Sequence, residues 1–471
     1  MLIAGVSGVG RVAAGADLSD PLAVRGLAPQ TQVGGMQMRE GAAPCRFDPA
    51  ATAPLALADV VERALCNNPQ THQAWANARF QAAELGVARS AFLPEINATG
   101  SVSRNWSDGA ATGGGAVGGG PTSFNAQNAA ISLSYLLYDF GQRDAALENA
   151  RQVLAAASAS QDGTVQSVFL SALQAYYQLF AAQAAADAAK ESERSSLQSL
   201  NAATARYGFG TATPADKLQA QTAYSQAVLN RIQAEGAAKT AEGVLANVMG
   251  LDANRLPNVV GPTAQGPSRQ FERDLGELIA EARRARPDLA AAEAQVKAAQ
   301  ASVDAAKAAG KPIISLSTNW SYSNFSDSPA VHSSAVGVSV SIPLFTGFAT
   351  TYRVQAAQAQ AASVAAQRDL LTQQVALDVW KAYQSLVTQT QAVQSSADLL
   401  ASASESERVA SGRYRAGVGT ILDVLTAQAA LASARQQNIQ ALYTWYIAKA
   451  TLAQAMGQLD FGAIDTVGNK P

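Results

Sequence analysis

The chain repeats itself in order. Pro69, in the run Ala64-Leu65-Cys66-Asn67-Asn68-Pro69, has a weaker counterpart 218 residues on in Arg283-Arg284-Ala285-Arg286-Pro287, and Pro94 of Leu93-Pro94 has one at the same spacing in Lys311-Pro312. Farther along, Arg206-Tyr207-Gly208-Phe209-Gly210 returns 207 residues later as Arg413-Tyr414-Arg415-Ala416-Gly417, and Val248-Met249-Gly250 returns at that spacing as Ala455-Met456-Gly457. A self-match in constant order constrains the fold more than any single motif, because each element of one half must have a counterpart in the other. The spacing shortens by 11 residues between Pro94 and Tyr207, and the glycine-rich stretch Gly109 to Gly120, which has no equivalent after Tyr322, accounts for it.

The repeat sets the expected organisation: an N-terminal extension over 1–54, a first repeat over 55–256, a linker over 257–274, a second repeat over 275–457 and a C-terminal tail over 458–471. At the N-terminus, Leu2 to Gly10 is apolar and Ala14-Gly15-Ala16 has the small residues of a cleavage site, but no positive charge precedes them. A signal peptide and a wrongly assigned start both remain open.

Each half reads as helix, strand, loop, strand, long helix, turn, helix. In the strands, Leu316, Thr318, Trp320 and Tyr322 alternate with Ser315, Ser317, Asn319 and Ser321, a period of two with one apolar and one small polar face. Ile131, Leu133, Tyr135 and Leu137 alternate with Ser132 and Ser134 in the same way, and Val336, Val338, Val340, Ile342 and Leu344 with Gly337, Ser339 and Ser341. The stretch Asn97 to Trp106 is the weakest, since Arg104 shares parity with Val102. A half-buried soluble sheet alternates too. In lipid, strands of this length must close into a barrel, and four are too few, so an oligomer is required. Ser107 to Asn128 and Asn324 to His332 are then the expected surface loops.

No proline interrupts Gly141 to Tyr207 or Gly347 to Tyr414, so each predicts a helix of roughly 100 Å. Val354, Ala357, Ala361, Val364, Leu371, Val375, Ala382 and Leu386 mark a packing seam along the second. A cytosolic coiled coil would have a similar seam. Charged residues make up only 15% of the 471 while hydrophobic ones make up 48%, a low polar share for a surface bathed in water. The formal net charge of −2 and the lack of a Lys/Arg cluster argue against nucleic acid as a partner. No apolar run approaches the roughly 20 residues of a membrane-spanning helix.

With the repeat in place, the sequence resembles the TolC family of outer-membrane factors from Leu55 to Gly457. The resemblance is carried by Leu57 to Pro69, Ala91-Phe92-Leu93-Pro94, Tyr138-Asp139-Phe140-Gly141, Pro343-Leu344-Phe345-Thr346-Gly347 and the paired Tyr-x-x-Gly turns. It implies a mainly α, internally duplicated chain with a β membrane part: four strands per subunit in a trimeric twelve-strand barrel, continued by a long α-helical barrel into the periplasm. It further implies a homotrimer in outer-membrane lipid, joined to a periplasmic adaptor (membrane fusion) protein and an inner-membrane transporter. Within the family the chain looks most like the type I secretion branch, and Cys45, Cys66 and the run Cys66-Asn67-Asn68-Pro69-Gln70-Thr71 resemble the outer-membrane component that exports adenylate cyclase-haemolysin toxin. A small-molecule efflux duct is the alternative inside the family, and a structural coiled-coil protein the alternative outside it.

Nothing points to catalysis, a cofactor or a metal. His72 and His332 are the only histidines, and neither has a cysteine or histidine partner at ligand spacing. Gly109 to Gly120 lacks the Gly-Lys-Ser/Thr ending of a phosphate loop and reads as a surface loop. Cys45 and Cys66, 21 residues apart, would pair in an oxidising periplasm and tie the N-terminal arm to the first helix; lipidation of Cys45 is the rival, although Ala42-Ala43-Pro44 lacks the leucine expected three residues before the cysteine, and two separate buried thiols are the other alternative.

The turns hold the most specific candidates: Tyr207, Gly210 and Thr213 in the first, Gly417, Gly419 and Thr420 in the second. Thr213-Pro214-Ala215-Asp216 and Thr420-Ile421-Leu422-Asp423 are helix-start signatures, so both aspartates are candidate caps. The resemblance adds a second role: Asp216, Tyr414 and Asp423 match positions that line the family's periplasmic entrance or hold it closed, with Asp216 linked to Tyr414. The family's gate arginine falls on Gly419 and its second entrance aspartate on Thr426, so fewer closing links are expected.

Overall fold

A computed structural model describes residues 19–34, 45, 54–107, 122–255, 258–262, 274–326 and 328–462. The first half runs α1 (Leu57–Asn67), α2 (Pro69–Ser90), β1 (Glu95–Ser107), β2 (Thr122–Tyr138), α3 (Gln142–Gly208) and α4 (Pro214–Val248). The second runs α5 (Leu275–Ala285), α6 (Pro287–Ala308), β3 (Ile313–Phe325), β4 (Ser328–Ser341), α7 (Ala349–Arg415) and α8 (Ile421–Ala455). Counterparts match in length: 11 residues in α1 and α5, 22 in α2 and α6, 13 in β1 and β3, 67 in α3 and α7, 35 in α4 and α8. Only β2 and β4 differ, at 17 and 14.

The repeated motifs have local causes. Pro69 and Pro287 open α2 and α6, where the missing N–H is not needed. They force Asn68 and Arg286 into extended backbone, at ψ 129° and 124°. The broken helix then receives the end of a returning one: Asn68 Nδ2 donates to the Val248 carbonyl at 3.2 Å, and Arg286 Nη1 reaches the Ala455 carbonyl at 3.5 Å. Arg286 also pairs with Asp288 at 2.6 Å and Asp378 at 3.2 Å. Gly250 and Gly457 sit at φ 72° and 73° against these breaks. A Cβ there would stand 2.5 Å from the Asn67 carbonyl oxygen and 2.9 Å from that of Ala285, so both the turn and the close approach demand glycine.

The chain divides into two units. One holds 29–78, 157–291 and 368–471, and its core takes Val60, Val61 and Leu65 of α1, Phe169, Leu173 and Tyr176 of α3, Val375, Val379 and Leu386 of α7, and Trp445 and Tyr446 of α8. Tyr177 stacks on Tyr446 with ring centroids 5.0 Å apart. Of the seam expected along α7, Val375, Ala382 and Leu386 are buried and Val354, Ala357, Ala361, Val364 and Leu371 half-buried. Leu459 and Phe461, at the start of the expected tail, are buried in the same core. The sulfurs of Cys45 and Cys66 are bonded at 2.02 Å, and Gln32 Nε2 donates to the Cys66 carbonyl at 2.8 Å. The apolar stretch and cleavage-like residues before position 19, and most of the 257–274 linker, lie outside the described residues.

The other unit holds 1–28, 79–156 and 292–367, including one antiparallel sheet in the order β1-β2-β3-β4. Register puts Ile96 beside Leu133, Ile131 beside Trp320, Leu316 beside Val338 and Tyr322 beside His332, collecting the apolar residues on one face. Those residues stay open to the surroundings: Trp106 is 70%, Val102 80% and Val336 77% exposed. The opposite face pairs Ser134 with Ser317, Ser315 with Ser339 and Ser321 with Ser333. Arg104 leans over the Trp106 ring at 5.5 Å, close to the end of β1.

Two expectations about the strands are corrected. The alternation assigned to Ile342 and Leu344 lies past β4, which ends at Ser341 because Pro343 has no N–H to give a ladder. The connections are shorter than Ser107 to Asn128 and Asn324 to His332: the ladders run on to Trp106 with Ser123 and Phe325 with Ser328, since polar serines and asparagines still pair through their backbones.

Where β2 enters α3, the quoted motifs meet. Phe140 and Gly141 turn at φ 53° and 94°. Buried Asp139 accepts from Arg143 at 3.1 Å, and Arg143 donates to the carbonyls of Leu136 and Ala91 with its guanidinium 4.8 Å from the Phe92 ring.

Candidate functional site

The Tyr-x-x-Gly turns are helix endings. In the first, the Gly210 N–H donates to the Tyr207 carbonyl at 3.0 Å and the Thr211 N–H to the Arg206 carbonyl at 2.9 Å, with Gly210 at φ 73°. The second repeats this with Gly417, Val418, Tyr414 and Arg413, and Gly417 at φ 81°. This pair of bonds uses up the last carbonyls of a helix and requires a left-handed residue after it. The spacing of tyrosine and glycine is therefore that of a helix stop. A Cβ on Gly419 would lie 3.1 Å from the Arg413 Cβ and 3.2 Å from the Tyr414 nitrogen, so a larger side chain there requires the turn to shift.

Three residues after its left-handed glycine, each turn starts the next helix with a reciprocal cap. Asp216 accepts the Thr213 N–H and hydroxyl, both at 2.8 Å, and its own N–H donates to the Thr213 hydroxyl oxygen at 3.2 Å. Asp423 accepts the Thr420 N–H at 3.0 Å and returns its N–H to the Thr420 hydroxyl oxygen at 3.2 Å. The backbone N–H, then the hydroxyl, hold both carboxyls below their ordinary value, and at Asp423 the charge of Arg413 adds to them. The capping role expected for both aspartates is present.

The two tyrosines, equivalent in sequence, differ in place. Tyr207 is 43% exposed, with Lys217 5.7 Å from its ring; Tyr414 is 7% exposed in a small cluster with Ala203, Ala220, Ile421 and Val424. Its hydroxyl is buried and has no hydrogen-bond partner among the described residues. Within one protomer, then, the Tyr414 hydroxyl is not bonded to Asp216, whose Oδ2 is engaged by Thr213. Arg206 is a further residue of the site. Its guanidinium lies 4.2 Å from the Tyr414 ring, and Nη2 donates to the Tyr414 carbonyl at 2.5 Å and to that of Arg415 at 3.4 Å. The signal in the sequence was an arginine before each tyrosine, Arg206 and Arg413, with nothing to say which one reaches across.

Other links tie the same four helices together. Arg231 of α4 pairs with Glu193 of α3 and, at 2.8 Å, with Glu235. Gln428 of α8 donates to Ser195 and Ser199 of α3 at 2.7 and 3.0 Å, and Asn438 of α8 to Ser396 of α7 at 3.3 Å. A polar cavity of about 400 Å³, lined among others by Ser195, Ser199, Arg408, Tyr414, Gln428 and Arg435, lies behind the second turn. No cluster of three or more metal-ligating side chains occurs among the described residues.

The outer membrane efflux protein family matches residues 60–251 and 278–458, most of both halves. The chain belongs to that family. It is an outer-membrane channel protein, and membership in a family of conduits sets aside the coiled-coil alternative. Among curated members, Protein CyaE of Bordetella pertussis is 31% identical over 456 residues, covering 92% of this chain and 93% of that one. Outer membrane protein TolC of Vibrio cholerae is 26% identical over 417 residues, covering 86% and 91%. A membrane protein from Pseudomonas aeruginosa shares the fold, with a TM-score of 0.76 at 23% identity over 88% of this chain and 99% of that one.

Proposed function

We propose that three copies of this chain form the passive exit duct of a type I protein secretion system, an internally duplicated subunit working with a periplasmic adaptor and an inner-membrane transporter. The observation that carries the reading is the sheet. β1 and β4 each have a ladder partner on one side only, and one face is apolar and uncovered. In lipid an open edge leaves backbone groups unsatisfied, so β4 of one copy pairs with β1 of the next, and three copies close twelve strands. The apolar face then meets lipid and the serine face lines the pore.

Secretion of protein is favoured over small-molecule efflux by the resemblance to the type I secretion branch and by the pore face. Among its described strand residues, Glu95 carries the single charge, and the rest are mainly serine, asparagine and alanine. Such a wall offers an unfolded chain neither strong binding nor strong repulsion. On this reading the helix turns form the periplasmic entrance, with Asp216, Tyr414 and Asp423 around it. The test is export in the native cell: deleting the gene should abolish secretion of a protein substrate and leave sensitivity to small toxic compounds unchanged. The reverse outcome assigns the duct to efflux.

A further inference from the structure

We propose that the apolar face of the sheet holds a lipid site near the strand hairpins, where a notch at Gly100 seats an acyl chain and Arg104 binds the phosphate of its headgroup; the assignment rests on reading that face as the one that meets lipid. The face is graded along the strands. At the helix end it shows Ile96, Leu133 and Leu316, then Trp320 and Tyr322 with His332 beside them, and toward the hairpins Gln127, Asn125 and Arg104. Apolar, then aromatic, then hydrogen-bonding side chains follow the order in which a bilayer passes from hydrocarbon to headgroups.

Arg104 is the only lysine or arginine on the four strands. A guanidinium on a lipid-facing strand is costly at the middle of a bilayer and nearly free at its surface, and Arg104 stands three residues, about 10 Å, from the end of β1. It lies 5.5 Å from the Trp106 ring and has no carboxylate partner among the described residues. Asn125, its partner in register, adds amide hydrogens to the same place. A planar fork of donors at headgroup level matches a phosphate, which it can take with two parallel bonds.

The notch is an independent observation. A cavity of about 300 Å³ is lined by Gly100, Val102, Gln127, Ala129 and Tyr322, among others. It exists because Gly100 and Ala129 face each other in register beside the ring of Tyr322, so two small residues leave a hollow next to a large one. A Cβ built on Gly100 meets nothing within 4 Å. On a face that meets lipid, an acyl chain fills such a hollow and recovers the contacts its walls lack. Gly100 and Arg104 share that face about 13 Å apart along β1, so one lipid can lay a chain in the notch with its phosphate at the guanidinium. The hairpins are the outer ends of the strands on this reading. The lipid is therefore that of the outer leaflet, an acylated sugar bearing phosphate, rather than a glycerophospholipid.

The experiment takes delipidated wild-type trimers in detergent with Arg104→Ala, Arg104→Lys and Gly100→Leu, and heat resistance shows which have assembled. Each is titrated with bisphosphorylated lipid A, with its dephosphorylated form and with phosphatidylglycerol, and bound lipid is counted by native mass spectrometry. Wild type should hold lipid A about tenfold more tightly than the dephosphorylated form, the size of one charge-assisted contact. Arg104→Ala should lose that factor for lipid A and nothing for the dephosphorylated form, with Arg104→Lys between. Gly100→Leu should weaken both forms by filling the notch. If Arg104→Ala does not assemble, the lysine variant decides, and Gly100→Ala replaces a Gly100→Leu that does not. Wild-type affinity for lipid A after either change overturns the site and leaves the channel reading in place. Phosphatidylglycerol held by wild type as tightly as lipid A overturns the outer-leaflet assignment. A wild-type chain that yields no trimer removes the barrel, and the site with it.

Discussion

Asp216 and Asp423 serve the ends of their own helices, and that local role has a pH signature. Both carboxyls are lowered from an ordinary value of 3.8, so the caps contribute fully above it and are lost as pH falls through the lowered value. The turns should therefore keep their hydrogen-exchange protection from neutral pH down to about 4 and lose it only below, and changing both aspartates to asparagine should flatten that dependence. A cap that also faces an entrance does more. On the proposed reading, three copies of Asp423 around the entrance would attract cations, so Asp423→Ala should lower cation selectivity in planar bilayers; unchanged selectivity with slightly earlier melting would leave it a cap alone. At the other end of α4 and α8, Gly250→Ala and Gly457→Ala should each lower stability by about 1–3 kcal/mol, read from urea unfolding, because alanine meets both a left-handed φ and a carbonyl. Residue roles were only partly legible in the sequence. The Thr-x-x-Asp caps could be read, whereas the difference between Tyr207 and Tyr414 could not, since it arises from what packs on each.

At the scale of elements, the long helices were the most readable part. An uninterrupted stretch without proline, alanine-rich and with a seam, has few alternatives to a helix, and α3 and α7 run 67 residues each. Their tight connections are the work of Gly-ended turns that need only local chemistry. The N-terminal arm is different. Trp75 Nε1 donates to the Pro29 carbonyl at 2.9 Å, Gln161 Nε2 to the Thr31 carbonyl at 2.9 Å, and Val33 enters the core. None of these contacts has a periodic sequence signal. The Cys45–Cys66 bond then closes a separation of 21 residues. Mature protein should resist alkylation until reduced, and a Cys45→Ser/Cys66→Ser variant should lose about 3 kcal/mol in the chain-entropy model, seen as earlier thermal unfolding. Alkylation of both thiols without reductant would falsify the pairing.

For the whole molecule, the sheet faces two requirements that one chain does not meet: partners for both edges and an apolar surround for one face. Detergent extracts should therefore contain heat-resistant trimers, and a soluble monomer in membrane-free fractions would sink the barrel. Orientation follows from the connections, since one end of every strand leads to a helix and the other to a hairpin. A tag inserted at Gly115, between β1 and β2, should be detected on intact cells. Detection only after the outer membrane is broken would reverse the topology.

By itself the sequence determined what depends on neighbours along the chain. The repeat, the proline breaks, the helix stops and starts, and the alternation of the strands all follow from steric and hydrogen-bond rules acting over a few residues. The tertiary structure decided what depends on residues far apart in number. It placed Asn68 and Arg286 at the carbonyls of Val248 and Ala455, brought Ala91 and Phe92 to Arg143, and made Arg206 rather than Arg413 the arginine that crosses between hairpins. The reason is physical. Two copies of a motif make the same local hydrogen bonds, and the packing around them leaves Tyr414 buried and Tyr207 exposed.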